Sequence, residues 1–245
     1  NAIRIALATV SGISDGEVQS IIAGRPYIDL NDFVRRSGCS TPVTESLILT
    51  GGFDSLHADV NRRDLLLHFS DLQKSPSAAV SGAQMNLGFE PPALISSGLP
   101  AMTASESVKY EIDRLGIDMS RHLIEFYGEF LNVIGAVRSS DLLKQRSQSS
   151  VLVAGIKVAM QTPPVRSGKR VIFLTLDDGY GCSDSTFFTD VQSEYANVLY
   201  STSLLLVRGV TRRTGARGIS IRATGAWDLR AAYESWSAKQ STLAI

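Results

Sequence analysis

Val151-Leu-Val-Ala-Gly-Ile-Lys-Val158 and Arg170-Val-Ile-Phe-Leu-Thr-Leu-Asp-Asp-Gly179 are the stretches whose reading decides the fold. Each is a short apolar run rich in branched side chains, of strand length rather than helix length. The second ends on Asp177-Asp178-Gly179, a hairpin signal, because glycine after aspartate supplies the positive φ of a tight reversal. Ser185-Thr-Phe-Phe188 continues from that reversal as a third strand. Asp190 to Leu199 has helical spacing, while Ser203 to Val210 and Gly218 to Thr224 read as a fourth and a fifth strand. A closing helix is expected over Ala226 to Trp236. Five strands with a helix between the third and fourth is the order of an OB-fold β-barrel.

Upstream of the barrel the texture is helical. From Asn1 to Leu56, short helices alternate with glycine: Ile3 to Val10, Gly16 to Ala23, Leu30 to Arg36 and Pro42 to Thr50. Thr41-Pro42 looks like an N-cap followed by proline at the first helical position, and Gly51-Gly52 stops that helix. Gln73 to Ala83 is small and polar with nothing to bury, which reads as a linker. Ala104 to Leu115 and His122 to Val137 return to helical spacing before a polar break at Gln145 to Ser150. The chain is therefore expected to be α+β in four parts. Residues 1–56 form an all-α tandem helix-hairpin-helix region, and 57–103 a helix plus flexible linker. Residues 104–150 form a helical connector, and 151–245 a five-stranded OB-fold barrel with a C-terminal helix.

The 245 residues carry 24 Lys plus Arg against 24 Asp plus Glu, so the molecule as a whole has no basic excess to hold a polyanion. The neutral total hides a gradient. Residues 1–56 hold four basic and six acidic groups, residues 57–150 nine and eleven, and residues 151–245 eleven and seven. An electrostatic footprint for nucleic acid belongs to the last third. With 44% hydrophobic residues the chain can bury a core. No apolar run approaches the roughly 18 residues of a membrane span. Asn1 to Val10 lack the basic start and apolar core of a secretion signal. Cys39 and Cys182, the two cysteines, are far apart and in no ligand spacing. These features read as a soluble, cytoplasmic protein with no membrane partner.

Three motifs carry chemistry. In Val10-Ser-Gly-Ile-Ser-Asp-Gly-Glu-Val-Gln-Ser-Ile21, Gly12 and Ile13 sit between two short helices, with Val18 and Ile21 apolar on the second. This is the helix-hairpin-helix pattern. Glycine lets the turn backbone approach a phosphate, and the following helix N-terminus aims free amides at the anion. Gly12, Ile13, Ser14 and Gly16 are the candidate DNA contacts, although Ser14 stands where the hairpin's second glycine is usual. The alternative is a plain helix-turn-helix packing unit. Gln84-Met85-Asn86-Leu87-Gly88-Phe89 follows the linker, and Gln84, Met85, Leu87 and Phe89 can present an amide and apolar plugs along an extended peptide. The alternative is that the apolar three pack onto a helical neighbour. Finally, Arg208, Arg212, Arg213 and Arg217, with Arg222 beyond, surround the hairpin between the fourth and fifth strands. In an OB fold that loop borders the groove where single strands lie. Lys157, Arg166, Lys169 and Arg170 extend the stripe, and strand alternation puts Phe173 on the face where it can stack on a base. The alternative here is a solvated basic hairpin on a domain that docks against protein.

Other features point away from catalysis. Asp177-Asp178 is followed by glycine and reads as a turn rather than a metal pair. His57, His68 and His122 have no metal-ligand spacing, and no phosphate loop, dinucleotide fingerprint or nucleophile elbow is present. No catalytic constellation and no cofactor site is expected in this chain.

The order of parts resembles the C-terminal region of bacterial DNA polymerase III alpha-type subunits. Four stretches carry the likeness: Ile3 to Ile13, Pro26-Tyr-Ile-Asp-Leu-Asn-Asp-Phe33, Leu47-Ile-Leu-Thr-Gly-Gly-Phe-Asp54 and Leu115-Gly-Ile-Asp-Met-Ser-Arg-His122. The barrel part, from Val151 through Thr162-Pro-Pro-Val-Arg-Ser-Gly-Lys169 to Gly225-Ala-Trp-Asp-Leu229, is most similar to the error-prone alpha polymerases of the damage-induced mutasome. The resemblance implies a helix-hairpin-helix that grips duplex DNA and an OB fold near the template strand, while Gln84 to Phe89 on its own resembles the hexapeptide by which bacterial polymerases hold the sliding clamp. The family resemblance also implies an inactive Y-family-like partner and a RecA-like partner. Polymerase chemistry would rest on aspartates holding magnesium ions in a palm domain upstream, so this chain would position DNA rather than catalyse.

Overall fold

The computed structural model describes residues 4–74, 93–163, 170–213, 215 and 218–243, and the chain divides into two compact units, residues 1–121 and 122–245. The first unit holds α1 (Asp15–Ala23), α2 (Leu30–Ser37), α3 (Thr41–Leu49), α4 (Arg62–Lys74) and α5 (Ala104–Leu115). α1 begins at a capping box in which the Ser14 hydroxyl accepts from the Glu17 amide and the Glu17 carboxylate accepts from the Ser14 amide. α2 starts at the Asp29 cap and stops at Gly38, whose φ of 64° places it in the left-handed region that ends helices. The N-cap position of α3 is Ser40, one residue before the expected Thr41, with Pro42 in its first turn. The expected helix over Ile3 to Val10 shrinks to a single 3-10 turn, Leu7–Thr9, because Ala6 is extended and offers no side-chain cap to start anything longer. Val10, Ile21, Leu30, Phe33 and Ile48 of the hairpins share one core with Leu65 and Phe69 of α4 and Leu115 of α5. Burying each such side chain contributes about 1.5–3 kcal/mol.

The second unit opens with a 3-10 turn, Leu123–Tyr127, then α6 (Gly128–Val133) and α7 (Ser139–Leu142). The helical run expected over His122 to Val137 begins as that 3-10 turn, and α6 stops at Val133, short of the expected end, where Gly135 takes a φ of 70°. The strands are β1 (Ser150–Gln161), β2 (Ile172–Asp177), β3 (Cys182–Phe187), β4 (Leu204–Arg213) and β5 (Ile219–Asp228). α8 (Thr189–Ser201) links β3 to β4, and α9 (Leu229–Leu243) follows β5. The sheet closes into a barrel in the order β1-β2-β3-β5-β4, antiparallel except for β3 with β5, which meet in parallel at Ser185–Ile221 and Thr186–Arg222 and join the two ends of the sheet. This is the five-stranded barrel and intervening helix that the strand order implied. Val153, Leu174, Leu176, Phe187, Leu205, Val207 and Ile221 fill the interior, and Leu199 of α8 plugs it. A second core lies on the outside, where Ala154, Leu204 and Leu206 pack against Tyr127, Phe130 and Leu229.

The strands run longer than their sequence signals. β5 continues through Gly225-Ala226-Trp227, which had the look of a helix start, because these residues pair across to Arg208, Val207 and Leu206. The residues 75–92, 164–169, 214 and 216–217 lie outside the described set. With them go Gln84, Met85, Leu87 and Phe89, the basic positions Arg166 and Lys169, and Arg217.

Candidate nucleic-acid interface

The first hairpin turns at Gly12, whose φ is 81°. A Cβ at that position would meet no atom within 4 Å, so backbone alone occupies the tip. Ile13 closes the turn by donating its amide to Val10 O at 3.2 Å. Glu17 occupies the ground just behind. Its carboxylate accepts from the Ser14 amide at 2.9 Å and hydroxyl at 2.8 Å, and from the Ser40 amide at 2.9 Å and hydroxyl at 2.7 Å. These four donors hold its pKa down to about 2, led by the Ser40 amide. Two helix N-termini, those of α1 and α3, thus share one internal anion. The Ser14 amide, a candidate phosphate donor, is engaged within its own chain, and Gly16 lies in the first turn of α1.

Two arginines of this unit, Arg36 and Arg62, have structural partners as well. Arg36 bonds Asp32, donates to Gly24 O and Pro26 O at 2.7 Å each, and lies over the Tyr27 ring at 4.8 Å. Arg62 forks onto Asp54 and reaches Leu49 O.

In the barrel, the sequence-nominated residues separate into two groups. Lys157 donates to Leu199 O at 2.7 Å, satisfying the carboxyl end of α8. Arg213 donates its guanidinium to Leu143 O. Arg208, Arg212 and Phe173 instead face outward, and Phe173 is 45% exposed. Arg170 is exposed at the entrance to β2, its carbonyl accepting from Gln192. Cross-strand register places Phe173 opposite Thr186, and Thr186 opposite Arg222, in one row around the exterior. The next row is acidic, with Thr175 donating to Asp184 at 2.7 Å. Arg208 lies over Trp227, and Arg222 over Phe188. Phe188, Tyr195 and Trp227 were not singled out from sequence. Their pattern is that of core aromatics, and the signal that separates them is Gly225 beside Trp227.

The Asp177-Asp178-Gly179 stretch is a turn. Gly179 has a φ of 81° and donates to Asp177 Oδ1, while buried Asp178 accepts from Tyr180 N, Ser139 N and Ser139 Oγ. Its carboxylate thus accepts three protein hydrogen bonds that fix the turn. Among the described residues no three His, Cys, Asp or Glu side chains gather at metal-binding distance. No helix among the described residues is long and apolar enough to cross a membrane.

Paired helical hairpins and a closed five-strand barrel define a chain of the helix-hairpin-helix, β-barrel class. A family model described as helix-hairpin-helix motif matches residues 1–65. Curated proteins named error-prone DNA polymerase match nearly the whole chain. The one from Symbiobacterium thermophilum is 31% identical over 245 aligned residues, covering 90% of this chain and 22% of that protein. Those from Corynebacterium diphtheriae and Bdellovibrio bacteriovorus are 28% and 25% identical, covering 85% and 87% of this chain and 19% and 21% of theirs. The chain spans about a fifth of the length of these relatives. The resemblance drawn from the sequence stands: this chain is similar to a region of error-prone DNA polymerases, consistent with a C-terminal one. Among solved structures, asparaginyl-tRNA synthetase from Pyrococcus horikoshii overlays 38% of this chain and 23% of that chain with 18% identity and a TM-score of 0.31.

Proposed function

We propose that this chain is the DNA-positioning and partner-docking part of an error-prone, DNA-directed polymerase that acts in translesion synthesis. The helical hairpins hold duplex through its backbone and the barrel holds single strand. Nucleotidyl transfer, with its magnesium ions, belongs to another part of the polymerase, and docking to a sliding clamp, a Y-family-like protein and a RecA-like protein belongs to the same proposal. The observation that carries it is the helix-hairpin-helix match over residues 1–65 in one chain with a barrel that exposes Arg208, Arg212 and Arg222. Helical hairpins contact phosphates and fix position without reading sequence. Arginines beside exposed rings are the components of single-strand binding.

The test is equilibrium binding of the 245-residue chain to a primer–template duplex and to a thymidine oligonucleotide across a range of NaCl. Affinity that falls steeply with salt supports a DNA grip, because each neutralised phosphate releases counterions. A chain that binds neither nucleic acid at low salt is a protein-docking module, and the DNA reading fails.

A further inference from the structure

The exterior of β4 and β5, beside α8, carries two arginine–aromatic pairs. Arg208 lies over the Trp227 ring at 5.5 Å, and Arg222 over the Phe188 ring at 5.4 Å. Both rings are 38% exposed, although side chains of that size ordinarily end in a core. The strand geometry explains how they come to lie outside. β4 and β5 pair from Leu206–Trp227 to Arg208–Gly225, then step past Thr224 to Gly209–Ala223. That extra residue re-phases β5, so Arg222 and Trp227, an odd number of positions apart, both project outward. Gly225 completes the arrangement. A Cβ there would stand 2.7 Å from the Trp227 ring, so glycine is what lets the indole lie down along the strand. Tyr195 of α8 braces the indole edge-on, with centroids 6.0 Å apart. At the Arg222 end the surface sinks into a cleft of about 510 Å³ whose walls include Arg212, Phe188, Asp190 and Thr224.

We infer that this groove between α8 and the β4–β5 hairpin is a single-stranded DNA path, in which Trp227 stacks on a base while Arg208, Arg212 and Arg222 take phosphates. The inference rests on the DNA-binding reading above and assigns its single-strand site. Repetition is the main argument. Trp227 lies opposite Leu206 and Arg222 opposite Val210, with Arg208 opposite Gly225 between them, so rings and cations follow one another along about 13 Å of strand, which suits a polymer that repeats base and phosphate. Charge is the second. Residues 151–245 hold eleven basic against seven acidic groups, and the Arg222–Asp190 contact is 3.5 Å between side chains 61% and 60% exposed. A solvent-screened contact of that kind yields readily to a phosphate. The β2–β3 exterior, where Phe173 lies, is less suited, because Asp184 and Asp177 line it and repel phosphate.

Trp236→Phe leaves Trp227 as the one tryptophan of the chain, since there are two. In that background the chain is titrated at low salt with a thymidine oligonucleotide of about 12 residues, long enough for one OB-fold site. Indole fluorescence and the anisotropy of the labelled oligonucleotide are followed together. Saturable quenching that tracks binding is expected. In the wild-type background, Trp227→Ala weakens binding about five- to a hundredfold, Trp227→Phe restores most of it, and Phe173→Ala changes it less than about twofold. Circular dichroism melts establish that each variant is folded. Binding without quenching, or a greater loss from Phe173→Ala than from Trp227→Ala, places the strand elsewhere on a DNA-binding protein and overturns the groove assignment alone. A wild-type chain that does not bind the oligonucleotide overturns the DNA reading itself and leaves the groove to a protein occupant.

Discussion

Glu17 is the residue where charge and position interact most directly. Four serine donors, two from each helix N-terminus, face its carboxylate, and its pKa drops from 4.5 to about 2. A depressed acid stabilises the fold above its unfolded pKa and loses that contribution as pH falls through the folded one. The staple between α1 and α3 is therefore intact above about pH 4.5 and released as pH approaches 2. Carbon-detected NMR is expected to show the Glu17 carboxylate titrating near 2, with the Ser14 and Ser40 amide shifts following it; a midpoint at the ordinary 4.5 contradicts the staple. Lys157 makes a different case. Its ammonium sits on Leu199 O at the end of α8. Lys157→Met should cost about 0.5–1.5 kcal/mol in chemical denaturation and leave oligonucleotide affinity within about twofold. A large loss of affinity with unchanged stability would instead make Lys157 a DNA contact. At this scale the sequence was least legible. It displayed Lys157, Arg36 and Arg213 as cations, but a cation's partner, here a carbonyl or carboxylate brought from another element, is invisible until the chain is folded.

Element by element, legibility was better and followed local signals. Ala104–Leu115 was readable to the residue because a Thr103–Glu106 capping box opens it and Gly116 closes it. The β2–β3 hairpin was readable from Asp177-Asp178-Gly179. What escaped was anything set by a distant partner, such as the continuation of β5 through Trp227, which depends on pairing with β4. Gly155 belongs to the same class. Within β1 it looks like a weak spot, yet a Cβ there would stand 2.7 Å from Asp177 O and 2.8 Å from the Leu176 Cβ. Both are immovable parts of β2, so the barrel closes only because that position has no side chain. Gly155→Ala is expected to destabilise the barrel by about 1–3 kcal/mol, as overpacking of a tight site does. Denaturation monitored at the barrel tryptophans measures it, and a neutral effect means β1 and β2 can separate at that point.

For the molecule as a whole, a net charge of zero makes the origin of any DNA affinity testable, since no diffuse attraction exists to mask local grips. If Arg208, Arg212 and Arg222 each neutralise one phosphate, log affinity for single strand falls with log salt at a slope of about −2, at about 0.7 per contact. Raising salt fourfold then costs about twentyfold in affinity. Replacing Arg208 and Arg212 by alanine together should flatten the slope by about 1.4, and a slope that does not move shows that those guanidiniums meet no phosphate. Duplex affinity has a separate origin in the hairpin tip. Gly12, at a φ of 81°, admits a β-branched side chain only with strain, although space is open around it. Gly12→Val therefore puts bulk where a duplex backbone must approach and distorts the turn that aims the amides. It should weaken duplex binding by about tenfold, a change of about 1.4 kcal/mol, while oligonucleotide binding and its salt slope stay as in the wild type. The arginine pair should show the reverse pattern. Loss of both affinities in either variant would mean that one surface serves both forms of DNA, and the division of labour between hairpins and barrel would have to be abandoned.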